Sequence, residues 1–175
     1  LMFSQDFLLV NNGTSALKLA LISNNIGYGD EIIVPCLSFI ATATACLNVG
    51  AIPVFAEIDN TFNIDVNDIE KKITKKTKAI VVVHFQGFPC DMEKIMMLCK
   101  KYNLILIEDV AQSFGTKYKN KYTGTFGDSS AFSFQSSKII TCGEGGGFTT
   151  KKNMDVAKRF ADNGGEREFN QMPVW

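Results

Sequence analysis

The chain has 175 residues, 46% of them hydrophobic, which is enough to bury one sizeable core. Lysine plus arginine balance aspartate plus glutamate at 18 each, so the chain carries no electrostatic footprint for nucleic acid or an acidic membrane surface. No apolar run reaches the roughly 18–20 residues that span a membrane, and the first residues do not read as a signal peptide. The five cysteines, Cys36, Cys46, Cys90, Cys99 and Cys142, are odd in number and widely spaced, with no CxxC pair. Reduced thiols in a cytoplasmic protein are expected, and the single histidine, His84, leaves little for zinc.

Taken in chain order, short Ile- and Val-rich runs alternate with stretches of helical length. Strands are predicted at residues 32–34, 52–56, 79–83 and 104–107, as runs of this kind suit strands buried on both faces of a parallel sheet. Helices are predicted at 15–23, 41–49, 66–72 and 92–102, with Pro35, Gly50, Pro53, Gly87 and Pro89 at the joints. Lys71, Lys72, Lys75, Lys76 and Lys78 sit beside Asp68 and Glu70 and read as a solvated helix end. The alternation implies an α/β domain with right-handed crossovers. Beyond Asp109 the texture changes: a hairpin around Tyr118 and Tyr122, strands at 130–134 and 147–150, and a helix at 155–162. The strand at 147–150 is expected to run antiparallel, because the short Gly143–Gly147 turn before it cannot make a parallel crossover. The ends, Leu1 and Trp175, read as cuts in a longer protein, so residues 1–175 are expected to form one large domain of it.

Three features carry chemistry. Asn11-Asn12-Gly13-Thr14-Ser15 stands before a helical run, where free amides and the positive dipole end suit an anion and Thr14 or Ser15 adds a hydroxyl; an ordinary Ser/Thr cap is the commoner use of such residues. Leu104-Ile105-Leu106-Ile107 ends in Glu108-Asp109, and in open α/β sheets ligands bind beyond the carboxyl ends of strands. Asp109 there can bind a cationic ring nitrogen, a metal or a ribose, or can be a plain helix cap or a surface acid; Gln112 lies close enough to share the site. Lys138 is the only charge between Ser129 and Gly143, with Phe132, Phe134, Ile139 and Ile140 nearby. Desolvation favours a neutral, nucleophilic amine in such a setting, and a lysine snorkelling beside the sheet is the alternative. The Gly143–Gly147 run fits neither a GxGxxG nor a GK[ST] phosphate loop and reads as a tight turn, and the absence of GxGxxG after the first strand counts against a Rossmann-like dinucleotide binder.

Placed in order, the segments NNGTSALKLAL, GDEIIVPCLSFIATATA, GAIPVFAEID, TKAIVVVHFQG, LILIEDVAQSFG and GTFGDSSAFSFQSSKIITCGEGG resemble the DegT/DnrJ/EryC1/StrS family of sugar aminotransferases. The likeness runs from residue 11 to 146 and continues more weakly to about 165. It implies an aspartate-aminotransferase-like (fold type I) domain with a mostly parallel seven-stranded sheet, the family's smaller C-terminal domain being absent from this sequence. It implies pyridoxal 5'-phosphate (PLP) as cofactor, with Lys138 carrying it covalently and Asp109 pairing with its ring nitrogen. Gln112 falls near the ring oxygen or ring face, Thr14 and Ser15 form a phosphate-binding pair, Ser133 also contacts the phosphate, and Phe39 stacks on the ring. The expected reaction moves an amino group from glutamate or glutamine to a keto-sugar, either nucleotide-linked or an 8-keto form of a lipopolysaccharide octulosonate, in cell-surface polysaccharide or lipopolysaccharide synthesis. The family shares its sites across a homodimer, so a homodimer is expected here, with an apolar exposed face near Phe160, Met172, Val174 and Trp175. Members that act as sugar dehydratases replace the lysine with histidine, so Lys138 points to transfer; a truncated or regulatory PLP-binding homologue without activity is the non-enzymatic alternative. His84 follows a strand near the presumed site and is expected to be a structural imidazole bonded to backbone rather than a proton shuttle.

Overall fold

Runs such as Ile32-Ile33-Val34 and Ile80-Val81-Val82-Val83 have no polar face, so each strand they form must be covered on both sides. The computed structural model, which describes residues 7–161, satisfies this with a sheet between two helical layers. In chain order the elements are β1 (Phe7–Val10), α1 (Gly13–Ser23), β2 (Glu31–Pro35), α2 (Ala41–Asn48), β3 (Ile52–Ala56), α3 (Val66–Lys72) and β4 (Thr77–Val83). They continue with α4 (Met92–Tyr102), β5 (Ile105–Asp109), the hairpin β6 (Lys117–Tyr118) and β7 (Lys121–Tyr122), β8 (Ser129–Ser133), β9 (Gly146–Thr150) and α5 (Met154–Ala161). Seven of the described strands form one sheet in the order β1-β9-β8-β5-β4-β2-β3. The pairs β2–β3, β2–β4, β4–β5 and β5–β8 are parallel, and β9 runs antiparallel to both β8 and β1, as expected, although it is joined to β8 by the whole helix-free loop 134–145 rather than by the glycine turn alone.

Period-two alternation divides each strand between the layers. Ile32, Val34, Ala79, Val81 and Ile107 face α1 and α2, together with Ala131 and Phe148. Ile33, Ile80, Val82 and Leu106 face the layer of α3 and α4, where Ile69, Met92, Ile95 and Leu98 meet them. The sequence reading missed β1. Its four residues are too short a run to be told from a helical fragment, and they become a strand only by pairing with β9, Val10 opposite Gly146. The thiols also divide: Cys46, Cys90 and Cys99 are buried, whereas Cys36 and Cys142 are exposed, and all five are free. Among the described residues no helix is long and apolar enough to cross a membrane. The expectations for Met172, Val174 and Trp175 lie outside the described residues.

Candidate functional site

As β9 alone is reversed among the described strands of the seven-stranded sheet, the carboxyl ends of β1, β5 and β8 lie at the same edge. A cavity of about 490 Å³ opens there, within the size range of small-molecule sites. Asp109 ends β5, Ser133 ends β8, and Asn12 to Thr14 bring in the first turn of α1. Phe39 and Ser38 approach from the turn before α2, and Gln112 and Lys138 from two loops.

The α1 terminus is capped by Asn12, not by Thr14 or Ser15. The Asn12 carboxamide oxygen accepts the Ser15 amide at 2.8 Å, and its backbone carbonyl accepts the Ala16 amide. Among the described residues no protein acceptor takes the amides of Gly13 and Thr14, which stand at the positive end of the helix dipole beside the cavity. Two glycines make this close approach possible. A Cβ on Gly146 would come within 2.4 Å of the Asn12 backbone, and one on Gly13 within 2.9 Å of Ser133 Cβ. The structure does not bring Ser15 to the cavity. Ser15 lies on a second hollow with Leu19 and Lys18, because successive helical residues point about 100° apart and only Thr14 of the pair can face the site.

Asp109 is 6% exposed. Its Oδ1 accepts the Ala111 amide at 3.1 Å and its Oδ2 the Thr42 hydroxyl at 3.0 Å. Burial pushes this carboxyl above the ordinary aspartate range, and the Ala111 amide, the Thr42 hydroxyl and the charge of Lys138 pull it back only in part. It is therefore a buried acid that a cationic partner would stabilise, rather than the plain helix cap its position also allowed. Gln112 Oε1 accepts the Gln86 amide at 2.9 Å, within the 3-10 turn Phe85–Gly87 where Gln86 takes φ +49°. That bond commits the oxygen and leaves the amide nitrogen of Gln112 as its donor. Phe39 is 69% exposed on the cavity wall.

Lys138 rides on a loop closed at its base by Phe134, whose amide donates to the Gly145 carbonyl and whose own carbonyl accepts from Cys142 N and Thr141 Oγ1. Inside the loop the Gln135 side chain accepts the Ser137 amide and hydroxyl, and Lys138 N donates to the Gln135 carbonyl. Ile139 and Ile140 are exposed, so they do not bury the lysine as the apolar sequence around it suggested. Lys138 is half-buried because it lies on the cavity wall.

Glu108 and His84, both fully buried, lie on the opposite face of the sheet. Glu108 Oε1 accepts the Phe126 and Gly127 amides, and Oε2 the Gly124 amide, each at 2.7 Å. His84 Nδ1 accepts the Cys90 amide at 3.2 Å, which fixes the tautomer and makes Nε2 the donor to Glu108 at 3.1 Å. Burial alone would raise the Glu108 carboxyl, but the His84 ring and the Gly127 and Gly124 amides outweigh it and hold the acid below its usual range. Glu108 thus pins the turn that delivers β8, and with it Ser133, to the cavity. The backbone-bonded imidazole expected of His84 is found, whereas this role of Glu108 was missed; a second acid beside Asp109 at the end of an apolar strand, with Gly124 and Gly127 further on, was its signal. Glu108→Ala leaves three amides and an imidazole without their acceptor and should lower unfolding free energy by about 3–5 kcal/mol in urea titration. An unchanged midpoint would refute the strut.

A buried acid and a lysine meeting at the carboxyl ends of parallel strands, beside one reversed strand, define the fold type I class. Solved structures of aminotransferases share the fold: Helicobacter pylori PseC, an aminotransferase involved in the biosynthesis of pseudoaminic acid, matches at a TM-score of 0.88 and 37% identity, over 99% of this chain and 48% of that one. The sequence model of the DegT/DnrJ/EryC1/StrS aminotransferase family matches residues 4–172, and the chain belongs to that family. It is 57% identical over 138 residues to GDP-perosamine synthase of Escherichia coli O157:H7, covering 78% of this chain and 38% of that protein. It is 48% identical over 151 residues to dTDP-3-amino-3,6-dideoxy-alpha-D-galactopyranose transaminase of Aneurinibacillus thermoaerophilus, covering 86% of this chain and 42% of that protein. The chain spans about two fifths of the length of these curated relatives.

Proposed function

We propose that the chain forms the cofactor-binding part of a PLP-dependent aminotransferase that carries an amino group from glutamate or glutamine to the ketone of a nucleotide-linked sugar, in cell-surface polysaccharide synthesis. The observation that carries this reading is the convergence of Lys138, Asp109 and the α1 terminus on one cavity. The residues present fit PLP. Unclaimed amides of Gly13 and Thr14, with the hydroxyls of Thr14 and Ser133, suit a phosphate. The raised carboxyl of Asp109 suits a cationic ring nitrogen, and Phe39 offers a ring to cover one face. The Gln112 amide nitrogen suits a ring oxygen.

Bound PLP supplies an electron sink for the electrons released at the donor's α-carbon. The protein's part is to hold and to move protons. Asp109 would keep the ring nitrogen protonated, the α1 amides and Phe39 would fix orientation, and Lys138 would hold the cofactor and carry protons at Nζ. A lysine at position 138 supports transfer over sugar dehydration. The names of the relatives support a nucleotide-linked acceptor over an octulosonate, since one carries GDP and another dTDP. The full-length protein, reconstituted with PLP and glutamate, should convert a member of a nucleotide-linked keto-sugar panel to an amino sugar visible by mass spectrometry. Bound PLP with no amino sugar from any nucleotide-linked or octulosonate acceptor would reject the proposal.

We also propose a homodimer. Ile40 and Ile139, chain neighbours of Phe39 and Lys138 on the cavity wall, and Phe88 are each at least 65% exposed, and Phe160 is exposed on α5. Sedimentation should give a dimer; a monomer over a broad concentration range would contradict it.

A further inference from the structure

Thr42 lies in the first turn of α2, buried at 2% exposure. A threonine inside a helix commonly turns its hydroxyl back onto a carbonyl of the preceding turn, as Thr44 does onto Ala41 at 3.5 Å. Thr42 instead reaches out of its helix to Asp109 Oδ2 on β5, at 3.0 Å and 67 residues away in the chain. Ser38 is similarly diverted. Two residues before the N-cap of α2, Ile40, which makes no side-chain capping bond, its hydroxyl lies 2.7 Å from Thr42 Oγ1. The direction of this chain follows from counting protons. An ionised carboxylate only accepts, so the single Thr42 proton goes to Asp109 and Ser38 must donate to Thr42. The same turn holds Phe39, whose carbonyl accepts the Thr42 amide at 3.1 Å.

We propose that Thr42 is a positioning residue: its hydroxyl latches the turn that carries Phe39 to the Asp109 carboxylate and holds that acid ionised and aimed into the cavity. The proposal rests on the reading of Asp109 as partner of the cofactor's ring nitrogen, and goes beyond it by assigning what keeps the acid in that state. Thr42 completes the set of groups facing the carboxylate: the Ala111 amide from the turn after β5, the Thr42–Ser38 hydroxyl pair from α2, and the nearby charge of Lys138, while the His84 imidazole lies across the sheet on Glu108. Without the Thr42 donor, burial acts on a carboxylate left with one direct hydrogen bond, and the anion is less favoured. Protonation of Asp109 removes the acceptor for the ring N–H, so PLP binding should then fail at a higher pH.

The test uses the full-length protein and PLP titrations followed by absorbance across pH. Thr42→Val replaces the hydroxyl with a methyl of similar size; it should weaken PLP binding about tenfold at neutral pH and move the acid limb of binding upward. Thr42→Ser restores the donor and should return both readouts to within about twofold of the parent. In an Asp109→Ala background, Thr42→Val should change affinity by less than about twofold, because the latch acts through the acid. A Thr42→Val protein with parental affinity and an unmoved acid limb overturns the proposal. So does an equal loss of affinity in both backgrounds, which would mark Thr42 as packing alone. If Asp109→Ala itself leaves PLP affinity and spectrum unchanged, the assignment of Asp109 falls and takes the latch with it.

Discussion

Lys138→Ala is expected to abolish covalent capture of PLP. With the parent full-length protein, borohydride after loading with PLP should fix one pyridoxyl group, and peptide mapping should place it on the fragment containing Lys138. The alanine variant should carry none and should lose the visible absorbance band of lysine-bound cofactor. Turnover should fall below detection, because one amine serves both as attachment point and as proton carrier. Non-covalent retention should survive, since the amides of Gly13 and Thr14 and the side chains of Ser133 and Asp109 do not depend on the lysine. The 134–145 loop should also persist: its bonds run through Phe134, Gln135, Thr141 and Cys142, and Lys138 contributes only its backbone amide. A label on another lysine, or a labelled alanine variant, would reject the assignment.

Asp109→Asn should separate catalysis from stability and move them in opposite directions. Asparagine keeps the shape and can still accept the Ala111 amide, but it cannot pair as an anion with a protonated ring nitrogen. Turnover of the full-length enzyme should drop by roughly three orders of magnitude, the scale seen when a preorganised electrostatic partner is removed, and PLP affinity should fall with it. Stability without cofactor should change the other way. Burial raises the Asp109 carboxyl, so the native state keeps a proton that the unfolded chain has already released. Between the ordinary aspartate value and the raised one, the unfolded state binds fewer protons, and stability must fall as pH rises. Asparagine has no such proton to lose. The variant's unfolding temperature, measured without PLP, should stay flatter across that window and exceed the parent's above it. A variant less stable than the parent at neutral pH would show that the buried acid is not a destabilising group.

Much of the scaffold was legible because it depends on patterns local in the chain. The runs at Ile32 and Ala79 have no polar face, which by itself demands a two-sided cover, and no helical pattern stands between Ser133 and Gly146 to make a parallel crossover; the cover and the reversed strand are both found. The site was legible in part. Asp109 and Lys138 could be picked out, one as an acid ending an apolar strand and the other as the only charge between Ser129 and Gly143. Their meeting could not be read locally, since residues 110–137, a stretch of hairpin, turn and strand, separate them. The reason offered for Lys138 was itself incomplete: its apolar neighbours Ile139 and Ile140 point to solvent, and the cavity wall is what covers the lysine.

The sequence by itself determined the alternation of strands and helices, the reversed strand, and which side chains had chemistry to offer, because hydrophobic period, turn length and residue type are properties of neighbours along the chain. Tertiary structure alone decided which of them face one another. Glu108 and Asp109 are adjacent acids on one strand, yet the pleat sends the first to His84 and three loop amides and the second to Thr42 and the cavity. Thr14 and Ser15 are adjacent hydroxyls on one helix, yet the helical turn leaves only Thr14 on the cavity. Thr42 had no local mark at all, for its partner lies on a strand that begins 63 residues later. Direction and distance between elements arise from packing the two helical layers on a twisted sheet, and no window of sequence contains them.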